Sequence, residues 1–238
     1  MKKRTSFYLA SLFFSAFVGA NANTTASATA SAAASSTLPE DFVAIGELDS
    51  SIEKDIRYFG SNNFVGTQVT GYQAPKCILQ RRAADALVRV QQSAKAQGLT
   101  LKVFDCYRPQ RAVDHFVRWV KDGADTKTKT QYYPNLGKDK LLGGYIAAQS
   151  GHSRGATVDL TLVDSSSGQE LDMGSPFDMF DTLSNTDDPR INDAQRKNRY
   201  LLRDLMMAQG FAPYPLEWWH FSLNPQPYPN TYFDFVVR

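Results

Sequence analysis

Ser150-Gly151-His152-Ser153-Arg154-Gly155-Ala156-Thr157-Val158-Asp159 sets a histidine and an aspartate at a fixed offset around two glycines. Further along comes Glu217-Trp218-Trp219-His220. The chain has only three histidines, His115, His152 and His220, and two of them fall in these segments. Two imidazoles and one carboxylate are the ligand count of a hydrolytic zinc site that keeps one position open for water. His152, Asp159 and His220 would supply the three ligands. Glu217 is then the spare carboxylate, suited to general-base work. Gly151 and Gly155 mark a turn, and the run after it, Val158-Asp159-Leu160-Thr161-Leu162-Val163, is rich in strand formers, with Val158, Leu160 and Leu162 on one face. Asp159 thus sits where a loop enters a strand. The structural alternative has His152 capping a turn and Asp159 paired with Arg154. Either histidine alone fits that alternative; the joint pattern favours the metal.

The second segment carries a geometric difficulty. In a regular strand, a three-residue offset points Glu217 and His220 to opposite faces. Pro213 and Pro215 lie just upstream, so a bend or bulge is expected there to bring both groups to one site.

Outward from these segments the pattern is mixed. Arg82 to Gln97 places Ala83, Leu87, Val90 and Ala94 on one helical face before Gly98. Pro109 to Lys121 and Asp193 to Gln209 read as two more helices, the last stopped by Gly210. Short strands are expected at 99–105, 158–163, 217–222 and 232–237. The region 122–149 reads as a long loop walling a site. His115 stands on the second helix without a motif around it. The fold class is α+β, a single domain with a small, largely antiparallel sheet flanked by helices. Arg108 ends the alternating run Leu99, Leu101, Val103, where its donors could face a developing oxyanion. Local sequence alone favours an ordinary surface arginine before a helix opened by Pro109.

Residues 1–22 read as a signal peptide: Lys2, Lys3 and Arg4, then a mostly apolar Phe7 to Val18, then Ala20-Asn21-Ala22 for cleavage after Ala22. The apolar stretch is short for a bilayer span, so no stable membrane insertion is expected once it is removed. Residues 23–37 are nearly all Ala, Ser and Thr and read as a flexible linker. The folded unit is expected over 38–238, with a periplasmic location. Losing Lys2, Lys3 and Arg4 takes the formal net charge from +2 to −1, which removes any electrostatic case for nucleic acid. Cys77 and Cys106 are the only cysteines, and in an exported chain such a pair reads as a disulfide, with two buried free thiols as the alternative.

The chain resembles the VanX-type D-alanyl-D-alanine dipeptidases, a branch of the zinc D,D-peptidases. The resemblance runs in order from Glu47 to Arg238. Its blocks include Asp55-Ile56-Arg57-Tyr58, Tyr107-Arg108-Pro109, Tyr132-Tyr133-Pro134-Asn135, Ser150 to Gly155, Met173 to Asp178, Glu217 to His220 and Tyr228 to Phe235. The Ser-x-His-x-x-Gly-x-x-x-Asp and Glu-x-x-His patterns belong to the wider zinc superfamily; the other blocks are particular to the dipeptidase branch. The resemblance implies a zinc D,D-peptidase (hedgehog-like) fold with one Zn2+ per chain on His152, Asp159 and His220. It makes Glu217 the general base and Arg108 the stabiliser of the tetrahedral intermediate, and it places Tyr58, Ser150 and Asp178 in the substrate pocket. Asp178 is chemically suited to a free ammonium group. The implied substrate is a small D,D-dipeptide. The rivals are a peptidoglycan D,D-carboxypeptidase of the same superfamily and a non-catalytic zinc module that recognises wall peptides. Retention of Glu217 and Arg108 argues against the second, since binding alone needs neither. Cobalt or nickel could occupy the same ligands in vitro.

Overall fold

The computed structural model describes residues 38–238. The expected signal peptide and the Ala/Ser/Thr linker lie outside the described residues. The elements are β1 (Phe42–Ala44), α1 (Ile45–Leu48), β2 (Glu53–Lys54), β3 (Ile78–Gln80), α2 (Arg81–Lys95), β4 (Leu99–Asp105), α3 (Gln110–Lys121), α4 (Lys129–Tyr132), β5 (Thr157–Asp164), α5 (Asp193–Met207), β6 (Phe211–Tyr214) and β7 (Glu217–Leu223). Five strands form one sheet in the order β2-β4-β5-β7-β6, while β1 and β3 form a separate antiparallel pair. Only β2 and β4 pair in parallel within the large sheet; its other pairings are antiparallel. This is the α+β architecture that the sequence implied. Among the described residues, no helix is long and apolar enough to cross a membrane.

The elements follow from local chemistry. Helix α2 begins at Gln80, whose side chain accepts the Arg82 N–H, and buries the Ala83, Leu87, Val90 and Ala94 stripe. Helix α5 opens with a capping box: Asn192 accepts from the Gln195 N–H while the Gln195 side chain accepts from the Asn192 N–H. Its Leu202, Leu205 and Met206 are buried. Each such side chain, fully buried, contributes about 1.5–3 kcal/mol. Helix α2 lies against β4 and α5 against β6, so both back the sheet. Strand β5 runs through the middle and is buried along nearly its whole length.

Two irregularities in the sheet decide which side chains meet. Val103 pairs with Leu160 but Asp105 pairs with Asp159, so β4 carries one extra residue between them. Strict alternation would leave Asp105 on the face of Leu101 and Val103; the bulge turns it to the face of Asp159. On the other side, Pro213 pairs with Phe221 and Tyr214 with Glu217, so β7 carries extra residues between Glu217 and Phe221. The expected irregularity exists, and it lies in β7 opposite Pro213 and Tyr214.

An aromatic layer floors this face. Phe64 packs on Phe116, Trp119 and Phe180, and Phe177 joins Phe104 to Trp219. The strand expected at 232–237 is not one. Its aromatics sit in an extended strap whose backbone bonds to different partners in turn: the Phe233 N–H donates to Ser153 O, Phe233 O accepts from the Gln110 N–H, and the Val237 N–H donates to Gly71 O. The 122–149 region contains α4 and a single turn at Lys138–Lys140, where the Lys138 ammonium is tied to the carbonyls of Trp119 and Asp122. His115 Nδ1 accepts the Thr70 N–H, a structural position.

Candidate active site

The turn that carries His152 is a single 3-10 turn, Gly151–Arg154, with the Ser150 hydroxyl accepting the His152 N–H. It ends at Gly155, whose φ of 82° lies in the left-handed region. A Cβ there would stand 2.3 Å from the Phe42 ring, so both conformation and space call for glycine. The next strand delivers Asp159, which is paired across the sheet with His220.

The three expected ligands converge. His152 Nε2 lies 3.3 Å from His220 Nδ1 and 3.2 Å from Asp159 Oδ2, and His220 Nδ1 lies 3.0 Å from Asp159 Oδ1. His152 Nδ1 donates to the Cys106 carbonyl at 2.7 Å, which leaves the Nε2 lone pair facing the cluster. Asp159 Oδ1 is buried and makes no well-formed hydrogen bond among the described residues. Lone pairs at these separations repel one another unless a proton or cation lies between them. Tetrahedral zinc with bonds of about 2.0–2.1 Å puts neighbouring ligand atoms about 3.3–3.4 Å apart, close to the spacing found. The donor set therefore fits zinc.

Glu217 Oε2 is 3.5 Å from His220 Nδ1, on the same side of β7 because of the bulge. Burial, reinforced by Asp159, pushes the Glu217 carboxyl up to about 7, against the pull of His220 and Arg108. That is the range in which a carboxylate can both take and return a proton at neutral pH.

Arg108 sits opposite. Its Nε and Nη2 are each 2.9 Å from Asp105 Oδ2, and Nη2 is 3.6 Å from Asp159 Oδ2. Its guanidinium lies about 5 Å over the Tyr58 and Phe116 rings. Asp105 is fully buried; its other oxygen accepts from the Tyr72 hydroxyl at 2.6 Å. Burial pushes the Asp105 carboxyl up, opposed by the Arg108 and His152 charges. Sequence reading missed Asp105 and Tyr72. The signal was an acid between Phe104 and Cys106 at the end of an apolar alternation, where a charge would be stranded without a bulge.

Tyr58 and Asp178 are buried residues of the cleft wall. The Tyr58 hydroxyl donates to Asp178 Oδ2 at 2.8 Å, and both residues are buried. Asp178 has a φ of 63°, in the left-handed region where a non-glycine residue is strained. Burial first, and the Asp159 charge second, raise its carboxyl well above the usual range. Tyr58, Arg108, Ser150, Asp178 and Glu217 all line one cleft of about 290 Å³ that also contains the three ligands. Gly143 to Ile146, from the long loop, line its side, and the Tyr214 ring stands 5.5 Å from that of His220. Every site residue expected from the sequence thus lies on this cleft, except Cys77 and Cys106. These two form a disulfide behind it, with both residues buried.

Residues 39–238 match a peptidase M15 family model described as D-ala-D-ala dipeptidase. The chain is 44% identical over 198 residues to a protein of Streptomyces coelicolor named D-alanyl-D-alanine dipeptidase, covering 83% of this chain and 98% of that one. Proteins of the same name in Enterococcus faecalis and Enterococcus faecium are 42% identical over 197 residues and 38% identical over 198 residues. Those matches cover 82% and 83% of this chain, and 98% of each relative.

Proposed function

The chain belongs to the D-ala-D-ala dipeptidase family of metallopeptidases, and on that premise we propose that it hydrolyses free D-alanyl-D-alanine to two D-alanines with one Zn2+ held by His152, Asp159 and His220. The observation that carries the reading is the convergence of those ligands within one cleft beside a carboxylate poised near neutrality, Glu217. When bound, zinc supplies a Lewis acid and lowers the pKa of water to about 7.

The chain's own groups divide the remaining work. Glu217 takes the proton of the attacking water on its carboxylate and returns it to the leaving amine. Arg108, held rigid by Asp105 and sandwiched on Tyr58 and Phe116, presents a fixed charge to the oxyanion that develops on the substrate carbonyl. Asp178 receives the substrate ammonium: a cation arriving beside a buried, protonation-prone carboxyl favours its ionised form. The Tyr58 hydroxyl holds Asp178 in place, and Ser150 shapes the cleft wall while capping the His152 turn. A buried acid in the cleft wall favours a free dipeptide over a stem peptide whose amine is already acylated.

The test compares D-Ala-D-Ala with its N-acetyl derivative, with and without chelator, beside Glu217→Ala. Chelator-sensitive release of alanine from the free dipeptide, weak on the acetylated one and absent in the variant, supports the reading. Equal rates on both substrates would make the chain a D,D-carboxypeptidase. The proposal also takes the chain as exported and active on dipeptide outside the inner membrane, in wall turnover or scavenging. Finding the mature chain in the cytosol on fractionation would overturn that part.

A further inference from the structure

The Cys77–Cys106 bond reaches the site through its Cys106 end. Cys106 follows Asp105, which grips Arg108, and its own carbonyl accepts from His152 Nδ1 at 2.7 Å. Two residues on, the Arg108 N–H reaches the His152 carbonyl at 3.4 Å. The segment 105–108 therefore holds one expected metal ligand by its ring and its backbone, and carries the oxyanion arginine. What holds the segment itself is β3. Tyr107 donates its N–H to Ile78 O, and the disulfide ties Cys106 to Cys77, with the two Cα atoms 5.2 Å apart. Strand β3 in turn bonds the His152 loop, through the Gln80 N–H to Gly155 O at 2.7 Å. Asp105 is the last β4 residue in the β4–β5 ladder, so the residues after it, 106–108, are held by cross-links to β3 and to the His152 turn instead.

We infer that the Cys77–Cys106 disulfide is a positioning device for the metal centre: it fixes the Cys106 carbonyl that orients His152, so that reducing it weakens zinc binding in a chain that stays folded. The inference rests on the zinc reading above. Partners that orient a ligating histidine are worth roughly 10–100-fold in metal affinity. Reduction transfers two electrons and two protons from two glutathione thiols, which leave as glutathione disulfide, to the two cysteine sulfurs.

Zinc affinity is measured by competition with a metal-buffering chelator on the oxidised chain, on the reduced chain, and on Cys77→Ala/Cys106→Ala, which has no thiols to bind the ion themselves. Far-UV circular dichroism reports the fold. Leu202→Ala, remote on α5, controls for loss of stability alone. The expected result is a zinc dissociation constant raised roughly 10–100-fold in both bridge-free forms, with the fold kept, Leu202→Ala unchanged, and kcat falling more than KM moves. Linkage adds a readout that needs no variant: zinc must raise the glutathione ratio required for reduction by the same factor that the disulfide raises zinc affinity. Equal affinity in oxidised and bridge-free chains overturns the inference, as does wholesale unfolding on reduction, which would make the bridge a staple only. No zinc binding by the oxidised wild type would instead sink the metal reading, and this inference with it.

Discussion

Glu217→Gln separates what the site needs from what the fold prefers. The carboxyl ionises at 4.5 in an unfolded chain and at about 7 here, with 16% of the side chain exposed. At 1.36 kcal/mol per pKa unit, keeping it ionised in the metal-free fold costs about 3 kcal/mol. The native state therefore binds the extra proton between those two values, so stability falls as pH rises through that window. Glutamine has nearly the same shape and no charge to bury. In chelator-treated protein, the variant and the wild type should match in urea denaturation near pH 4. They should diverge from about pH 4.5 to 7, with the variant more stable by up to about 3 kcal/mol at pH 8. Peptidase activity should meanwhile drop by roughly 10²–10⁴-fold. A stability difference that does not change with pH would refute the assignment of the raised carboxyl to burial at this position. So would a wild type more stable than the variant at pH 8.

Arg108→Lys keeps a charge but loses the two-pronged grip on Asp105, so kcat should fall roughly 10²–10³-fold with a smaller change in KM, read by steady-state alanine release. Asp178→Asn should raise KM for the free dipeptide while leaving hydrolysis of its N-acetyl derivative nearly unchanged; equal loss on both substrates would remove Asp178 from the ammonium site. Zinc at about 100 times its dissociation constant should stabilise the wild type by about 2.7 kcal/mol, a gain that His152→Ala abolishes in a thermal melt. Gly155→Ala combines a left-handed φ with a Cβ 2.3 Å from the Phe42 ring, so it should destabilise the fold by at least about 1–3 kcal/mol in denaturant titration.

Much of this was legible because helix and strand periods are local. The stripe Ala83, Leu87, Val90, Ala94 and the alternation Leu99, Leu101, Val103 need nothing beyond their own spacing to be read. The pairing of Asp159 with His220 is not local. It follows from a register that two short motifs fix only when the strands between them assemble. The two bulges were half-legible. Glu217 and His220 on one side demanded an irregularity, but nothing in Pro213 or Pro215 said that the extra residues would fall in β7. Asp105 was invisible as a site residue, because its face is set by one extra residue in β4 rather than by its spacing from Val103. The aromatics Tyr232, Phe233 and Phe235 imitate a strand. Phe233 and Phe235 pack on Phe42, and Phe235 also on Tyr107, while the backbone finds partners one at a time, so composition pointed to a ladder that topology does not provide.

The register that pairs Asp159 with His220 puts two of the three expected ligands on one ladder and leaves the third to a turn outside it. The backbone spacing between those two expected ligands is a sheet spacing held by ladder bonds, so only their side-chain rotamers can alter the distance between their ligand atoms. His152 arrives on a separate turn hung from Cys106 and Ser150, so its place is set by loop contacts rather than by the ladder. On the zinc reading, the non-ligand residues of 105–108 and 150–155 set where His152 stands, and substitutions there should shift ion preference before any change of ligand.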